Sequence, residues 1–401
     1  MEDETKLSRR ALLATSIAAG VSFAGCSGGE ETATPAPATD ASTPTPAPTT
    51  AEPTATATAT PTETPTPTET PTPANPAPSL EAFPYPDGAN RDGVSAAQLY
   101  RTHESTLTSA GSATLAGAVR TIRPDFETTT TATKALGDGG IAITREQAQE
   151  GITESSWSPS DEEVAYVQMK SGFDERYRID NRAPRPNEVV EFSRFKRLLA
   201  GAEWGEATEV VEAGAEDYAV TYESTGIADE RPLLRLVFGD RVAEFDATIA
   251  VAESGYVRKI AYDIAVERGD RRIRSKVSRT VESVGETTVE APEWAGTARE
   301  TGIQFEMNTV ADGTAIELEM VNGGEVPRDT RVALSDAKGH GERRLSDPVA
   351  VGDRLYLSFS ESNELSVGTD GPPEGSRALE HFVRATLRNR GFALFSAETR
   401  L

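Results

Sequence analysis

Cysteine is nearly absent: Cys26 is the only one in 401 residues, so no intramolecular disulfide supports the fold. Lysine is scarce, confined to positions 6, 134, 170, 196, 259, 276 and 338, and histidine occurs only as His103, His340 and His381. These three histidines are far apart in sequence, and no HExxH, Cys/His cluster, P-loop, GxGxxG or GxSxG is present. Metal and nucleophilic catalysis lack their usual parts. The chain is therefore read as a non-enzyme, with no catalytic residue, cofactor or metal assigned. Paired carboxylates such as Glu162-Glu163 and Glu216-Asp217 carry no weight as a glycosidase signature in a chain with 64 acidic residues. No apolar run approaches the ~20 residues that a membrane-spanning helix needs.

What the chain has in excess is negative charge. Asp and Glu outnumber Lys and Arg by 64 to 40, a net charge of -24. At ~1 M salt the Debye length is ~3 Å, so such self-repulsion is screened, and the composition suits a chain adapted to high salt. The acidity and an external address argue against a nucleic-acid partner.

That address is read from the first 26 residues. A polar start carries Ser8-Arg9-Arg10, Ala11 to Ala24 is apolar, and Phe23-Ala24-Gly25-Cys26 closes with small residues before the thiol. Arg9 and Arg10 fit the twin-arginine export pattern, and the close is similar to a lipobox, with Cys26 as the lipid attachment. The expected product is a lipoprotein anchored through Cys26 to the outer face of the cell membrane. Residues 27 to 80 are rich in Thr, Pro and Ala and have no Val, Ile, Phe, Trp or Tyr. They are expected to form a disordered stalk, extended by proline.

Periodic sequence begins after residue 81. Ser95 and Gln98 form a capping-box pattern, followed by Leu99, His103, Leu107 and Ala110 at helical spacing. His103, on the apolar face, is read as a core histidine. Extended segments are expected at 112–122, 125–136, 139–145, 163–170 and 173–180, then a helix from Asn187 to Ala200 with Val189, Phe192, Phe195 and Leu199 on one face. From 243 to 283, Phe245, Ile249, Tyr262 and Ile264 lie on the apolar side of alternating strands, an antiparallel sheet with one wet face. The basic set Arg258, Lys259, Arg268, Arg271, Arg272, Arg274, Lys276 and Arg279 is read as cross-strand partners of Glu244, Asp246, Asp263, Glu267 and Asp270, with a face that meets anionic headgroups or an acidic partner as the alternative. Trp157, Trp204 and Trp294 are read equally as core, rim or sugar platforms.

A capped helix, a long meander, an inserted helix, a final run of three strands and the close Val284-Gly285-Glu286-Thr287-Thr288-Val289-Glu290-Ala291-Pro292-Glu293-Trp294 together resemble haloarchaeal surface lipoproteins of unknown function. Those are similar in architecture to LolA/LppX-type lipoproteins. The resemblance covers about residues 82 to 295. It implies a curved antiparallel half-barrel over 81–295, with helices and a ligand cavity on its concave side, and carriage of a lipid or other hydrophobic ligand. Phe245, Ile249, Tyr262 and Ile264 are the cavity candidates on this reading, and ordinary core packing is their alternative. From Gly296 to Leu401, strands at about 303–309, 314–321, 329–335, 354–360, 380–388 and 392–398 suggest an immunoglobulin-like β-sandwich. The whole is α+β, mostly β. The competing function is a non-catalytic structural or adhesive protein that contacts cell-envelope proteins or glycans.

Overall fold

A computed structural model describes residues 77–213 and 217–401. The predicted leader with Arg9, Arg10 and Cys26, and the stalk up to residue 76, lie outside these residues. A short hairpin of β1 (Ala89–Asn90) and β2 (Gly93–Val94) leads into α1 (Ala96–Ala110). The Asn90 Oδ1 accepts from the backbone N–H groups of Asp92 and Gly93 at 2.8 and 3.1 Å, an Asx turn that closes the hairpin. Leu99, His103 and Leu107 are the buried stripe of α1, and Gly111 ends the helix in the left-handed region at φ 69.

Six strands follow: β3 (Ala113–Arg123), β4 (Phe126–Gly137), β5 (Gly140–Gln147), β6 (Ile152–Pro159), β7 (Ala165–Ser171) and β8 (Asp174–Asp180). The chain then makes α2 (Pro186–Val189) and α3 (Phe192–Gly201), β9 (Ala202–Glu212), β10 (Tyr218–Ile227) and α4 (Glu230–Val237). Three long strands, β11 (Arg241–Ala252), β12 (Val257–Arg268) and β13 (Arg271–Glu282), complete an eleven-stranded antiparallel sheet ordered β8-β7-β6-β5-β4-β3-β13-β12-β11-β10-β9. It is a curved half-barrel with the helices on its concave side.

Pairing between β13 and β3 joins the two meanders, with Val277 opposite Val119 and Arg279 opposite Gly117. One free edge, β9, is blunted by register shifts against β10, by exposed Glu203, Glu206, Glu209 and Glu212, and by a hydrogen bond from Ala207 N–H to the Arg91 carbonyl. The other edge, β8, is capped by Ile303: Ile179 N–H donates to the Ile303 carbonyl at 2.9 Å, and Ile303 N–H to the Tyr177 carbonyl at 3.0 Å.

Helix α5 (Ala295–Thr301) packs on the convex side, where Ala295 and Ala298 join Trp157, Tyr166, Ile179 and Val289 in one apolar cluster. The residue 295/296 boundary thus falls at the start of a helix that belongs by packing to the half-barrel. The sandwich begins with β14 (Gln304–Val310), β15 (Ala315–Asn322), β16 (Arg331–Ser335) and β17 (His340–Arg344). It continues with β18 (Arg354–Phe359), β19 (Leu365–Gly368), β20 (Phe382–Asn389) and β21 (Phe392–Arg400). Its sheets are ordered β14-β15-β18-β19 and β17-β16-β20-β21. The second order matches C′CFG of an immunoglobulin sheet, whereas in the first the outer strand follows its neighbour in sequence, unlike ABED. Between the sheets, Asp336 and Arg377 pair in the interior at 2.6 Å and bind together the loops at 336–339 and 377–380. Burial, the largest single influence, raises the Asp336 carboxyl, but Arg377 and the N–H groups of Gly339 and Lys338 together hold it below its ordinary value.

The sandwich core includes Val167 and Met169 of β7, so the two parts share apolar packing. Arg178 ties the junction. Its guanidinium donates to Asp180 Oδ1 at 2.7 Å, to Glu154 Oε2 at 3.3 Å and to the Ala393 carbonyl at 2.8 Å. Arg178→Ala leaves Asp180 and the Ala393 carbonyl without this donor and Glu154 with Arg145 alone, and is expected to lower stability by about 2–3 kcal/mol in denaturant titration at fixed salt. A loss below ~1 kcal/mol would show that the junction does not depend on it.

His103 is a further buried polar group with a measurable consequence. Its Nδ1 accepts from Val257 N–H at 3.0 Å, and its ring meets Phe195 and Phe192 edge-on at 4.6 and 5.6 Å. Burial pushes its pKa down to about 3, so it is neutral in the fold. A depressed folded pKa gives a contribution that is complete above the unfolded value near 6.5 and lost as pH falls toward 3. The wild type should lose about 2 kcal/mol more than His103→Gln between pH 7 and pH 5, measured by urea unfolding. Parallel losses in the two proteins would refute this.

Candidate functional site

Directly opposed residues of an antiparallel sheet share a face, and register carries that face from strand to strand. Ile249, Ile260, Arg279, Gly117 and Ala132 form one row; Ala247, Tyr262, Val277, Val119 and Thr130 form the next; Phe245, Ile264, Ser275, Thr121 and Thr128 form a third. Helices cover only part of this concave surface. Phe195 and Leu199 of α3 pack on Val220, Tyr222, Ile249 and Val251, while Leu198 and Leu233, from α3 and α4, pack on Val242, Ala247, Ile264 and Val266. The sandwich covers the opposite end at Val167 and Met169. Between them Val119, Thr121, Thr128, Thr130, Ala132 and Gln147 remain half-buried, the floor of an open trough.

The four cavity candidates divide on this geometry. Ile249 and Ile264 are 0% exposed and packed beneath helices. Phe245 and Tyr262 are half-buried at the margin of that packing, with Leu234, Leu236 and Val237 in the same cluster. They form one apolar wall of the trough. Burial raises the Tyr262 phenol pKa, and the Arg194 guanidinium nearby partly opposes it.

Sequence reasoning missed the ionic group above this wall. Lys134 of β4 and Arg279 of β13 both point to the concave side and flank β3, where Gly117 stands opposite Arg279. A Cβ on Gly117 would lie 2.8 Å from Arg279 Cγ and 2.6 Å from the Ser278 carbonyl, so the absent side chain leaves room for Arg279 to cross. Both cations end on Glu191, Lys134 Nζ at 2.9 Å from Oε1 and Arg279 on Oε2. Lys134 also donates to the Val189 carbonyl at 3.3 Å. Glu191 joins α2 to α3 in the left-handed region, at φ 52. The expected helix from Asn187 to Ala200 is therefore two helices with an elbow. Burial, then Arg279, Arg145 and Arg194, push Lys134 down to about 7; burial pushes Arg279 down to about 10.

Two cavities open nearby, and only the first borders this group. One, of about 510 Å³, opens between α1 and the elbow and is lined by Tyr100, Glu104, Glu191, Arg194 and Lys196 among others. Lys196 stands over the Tyr100 ring at 5.1 Å, and Tyr100 Oη donates to Glu104 Oε1 at 3.1 Å. The other, of about 240 Å³, is lined by Ile143, Arg145, Glu154, Arg178, Asp180, Arg182 and Glu188. Its charges pair internally, Arg145 with Glu154, Arg178 with Glu154 and Asp180, Arg182 with Glu188. Neither is an apolar sac, and none of the four cavity candidates lines either.

The basic set of the final strands splits between faces. Arg272, Arg274 and Lys276 pair on the convex side with Glu244 and Asp263, whereas Arg279 turns inward. Among the described residues no group of three or more His, Cys, Asp or Glu side chains is placed to hold a metal, and no helix is long and apolar enough to cross a membrane. Trp157 is core, stacked on Tyr166 at 5.9 Å, while Trp204 and Trp294 are half-buried beside apolar clusters.

No protein-family model and no curated protein matches the sequence. Among solved structures the chain is similar to a LolA superfamily protein from Nitrosomonas europaea, at 13% identity over 49% of this chain and 94% of that one, with a TM-score of 0.19. A DUF1329 family protein from Desulfovibrio piger aligns at 8% identity over 49% and 94%, with a TM-score of 0.20. The MucA/MucB complex of Pseudomonas aeruginosa aligns at 10% identity over 67% and 91%, with a TM-score of 0.23. At such scores no function follows from the likeness, and the half-barrel rests on its own strand order.

Proposed function

We propose that this chain is a non-catalytic binding module, tethered outside the membrane through Cys26, whose half-barrel trough engages an amphipathic segment of a partner protein. The observation that carries this reading is the partial cover of the concave face. The trough has an apolar wall at Phe245 and Tyr262, a threonine floor at Thr121, Thr128 and Thr130, and charged cavities at its side. A lipid carried through water needs its chains enclosed by apolar side chains. An extended or helical polypeptide instead presents one apolar side and satisfies polar groups along the other. Enclosed carriage of a hydrophobic ligand, the expectation from the sequence resemblance, has less support because Ile249 and Ile264 are packed core.

Adjacent residues of β4 on opposite faces provide the test. Thr130 is on the trough floor, and Thr131 is exposed on the convex side. Each substitution by Arg should change stability by no more than ~0.5–1 kcal/mol. Thr130→Arg in the full-length protein is expected to abolish cross-linking to envelope proteins, and Thr131→Arg to leave it intact. Equal cross-linking by both variants, or a stoichiometric lipid extracted from the purified wild type, would overturn the reading.

A further inference from the structure

The concave floor gathers cations that a single, hinged carboxylate holds. Lys134 and Arg279 come from two different strands and meet over Gly117, with side chains 12% and 20% exposed. Arg145 and Arg194 also act on Lys134 through space. Arg145 is engaged by Glu154 at 3.6 Å. The ion pairs of Lys134 and Arg279 both end on Glu191.

Glu191 does not belong to the sheet. It sits at the elbow between α2 and α3, in the left-handed backbone region that is strained for a non-glycine residue. The same elbow borders the cavity of about 510 Å³, where Arg194 and Lys196 line the wall beside it. A carboxylate held on a strained joint, against two largely buried cations and next to open volume, is placed as a displaceable internal ligand. The sheet would hold its two cations in place after the elbow moved, because strand pairing fixes Lys134 opposite Leu115 and Arg279 opposite Gly117.

We propose that Lys134 and Arg279 form a receiving site for a ligand carboxylate, that Glu191 fills this site in the resting molecule, and that binding exchanges one carboxylate for the other as the elbow swings toward the cavity. The chemistry suits the residue types. Arginine offers a planar fork to a carboxylate and lysine a point charge, and both interactions strengthen where water is excluded. The carboxylate is that of a free organic acid or of a peptide C-terminus. The peptide form rests on the reading of the trough as the binding surface, since the floor at Ala132 and Thr130 leads down β4 from Lys134.

The test uses the full-length protein at constant ionic strength, with butyrate as the free carboxylate. A Val/Thr hexapeptide ending in a free carboxylate, or in an amide, is the peptide probe. Glu191→Gln removes the resident charge and should bind butyrate at least tenfold more tightly than wild type by calorimetry. Adding Lys134→Met should return the affinity to the wild-type level or below. The free-carboxylate peptide should behave as butyrate does, and the amide should not.

Butyrate binding without peptide binding supports the receiving site and counts against the trough as its approach. Equal butyrate affinity in wild type and a folded Glu191→Gln overturns the site itself. If that variant does not fold, amide exchange at residues 188–193 of the wild type decides. Saturating butyrate should speed exchange there by severalfold, and unchanged exchange rejects displacement of the elbow.

Discussion

A curved sheet of eleven strands presents more concave surface than a few short helices can cover. Every other feature of the half-barrel follows from how that mismatch is handled. Helices α3 and α4 bury the end at β9–β12, and Tyr222, Ile249, Val251 and Ile264 are fully excluded from water there. At β7 the cover is supplied from the sandwich, so Val167 and Met169 are core residues of both parts. On the strands between, Leu136, Ile141 and Ile143 pack with Val189 of α2 and Leu115 with Leu107 and Phe192, and only the rows beyond them are left with threonine, alanine and a short valine on the inside. This is the side-chain choice expected for a surface that is shielded without being sealed.

The acidic surplus of the chain makes its buried cations conspicuous. Surface pairs such as Arg272 with Glu244 are half-exposed and worth little, the more so in salt. Three interior arginines are different in kind. Arg178 fixes the sandwich to β8, Arg377 closes the sandwich loops on Asp336, and Arg279 crosses β3 to reach the elbow. The first two meet several fixed acceptors each. The third meets a carboxylate on a joint, which separates a structural staple from a contact that can be exchanged.

Much of the architecture is legible in the sequence where a single period governs it. The alternation from Ala243 to Val281 became β11, β12 and β13, and the stripe Leu99, His103 and Leu107 became the buried side of α1. Strand β6 escaped notice because Ile152–Pro159 is mostly polar, its apolar weight resting on Trp157. Helix α4 is short and carries a proline at its third position; β17 is a polar edge strand. The elbow was hidden for a sharper reason. Val189, Phe192, Phe195 and Leu199 keep helical spacing straight across the break, so the periodicity of the core says nothing about Glu191. Lys134 lies in a threonine-rich strand that offers no motif, and its partners are distant in sequence. Only strand register brings Lys134 and Arg279 to either side of Gly117.

The same register bears on what the trough accepts. Along its floor the rows run from an ionic end, at Lys134 and Arg279, through Ala132 and Val119 to hydroxyls at Thr128 and Thr121. An acyl chain gains nothing from hydroxyl groups and would leave its far end in water. A polypeptide lying across these rows meets groups of both kinds, with Phe245 and Tyr262 on one side for its apolar residues. Such a ligand depends on several weak contacts and one strong charge, and the strength of the charged contact depends on how readily Glu191 gives way. Left-handed backbone at that residue lowers the barrier to its release without weakening the sheet beneath. Affinity would then be set at the elbow and selectivity along the floor, by parts of the molecule that can change independently of each other.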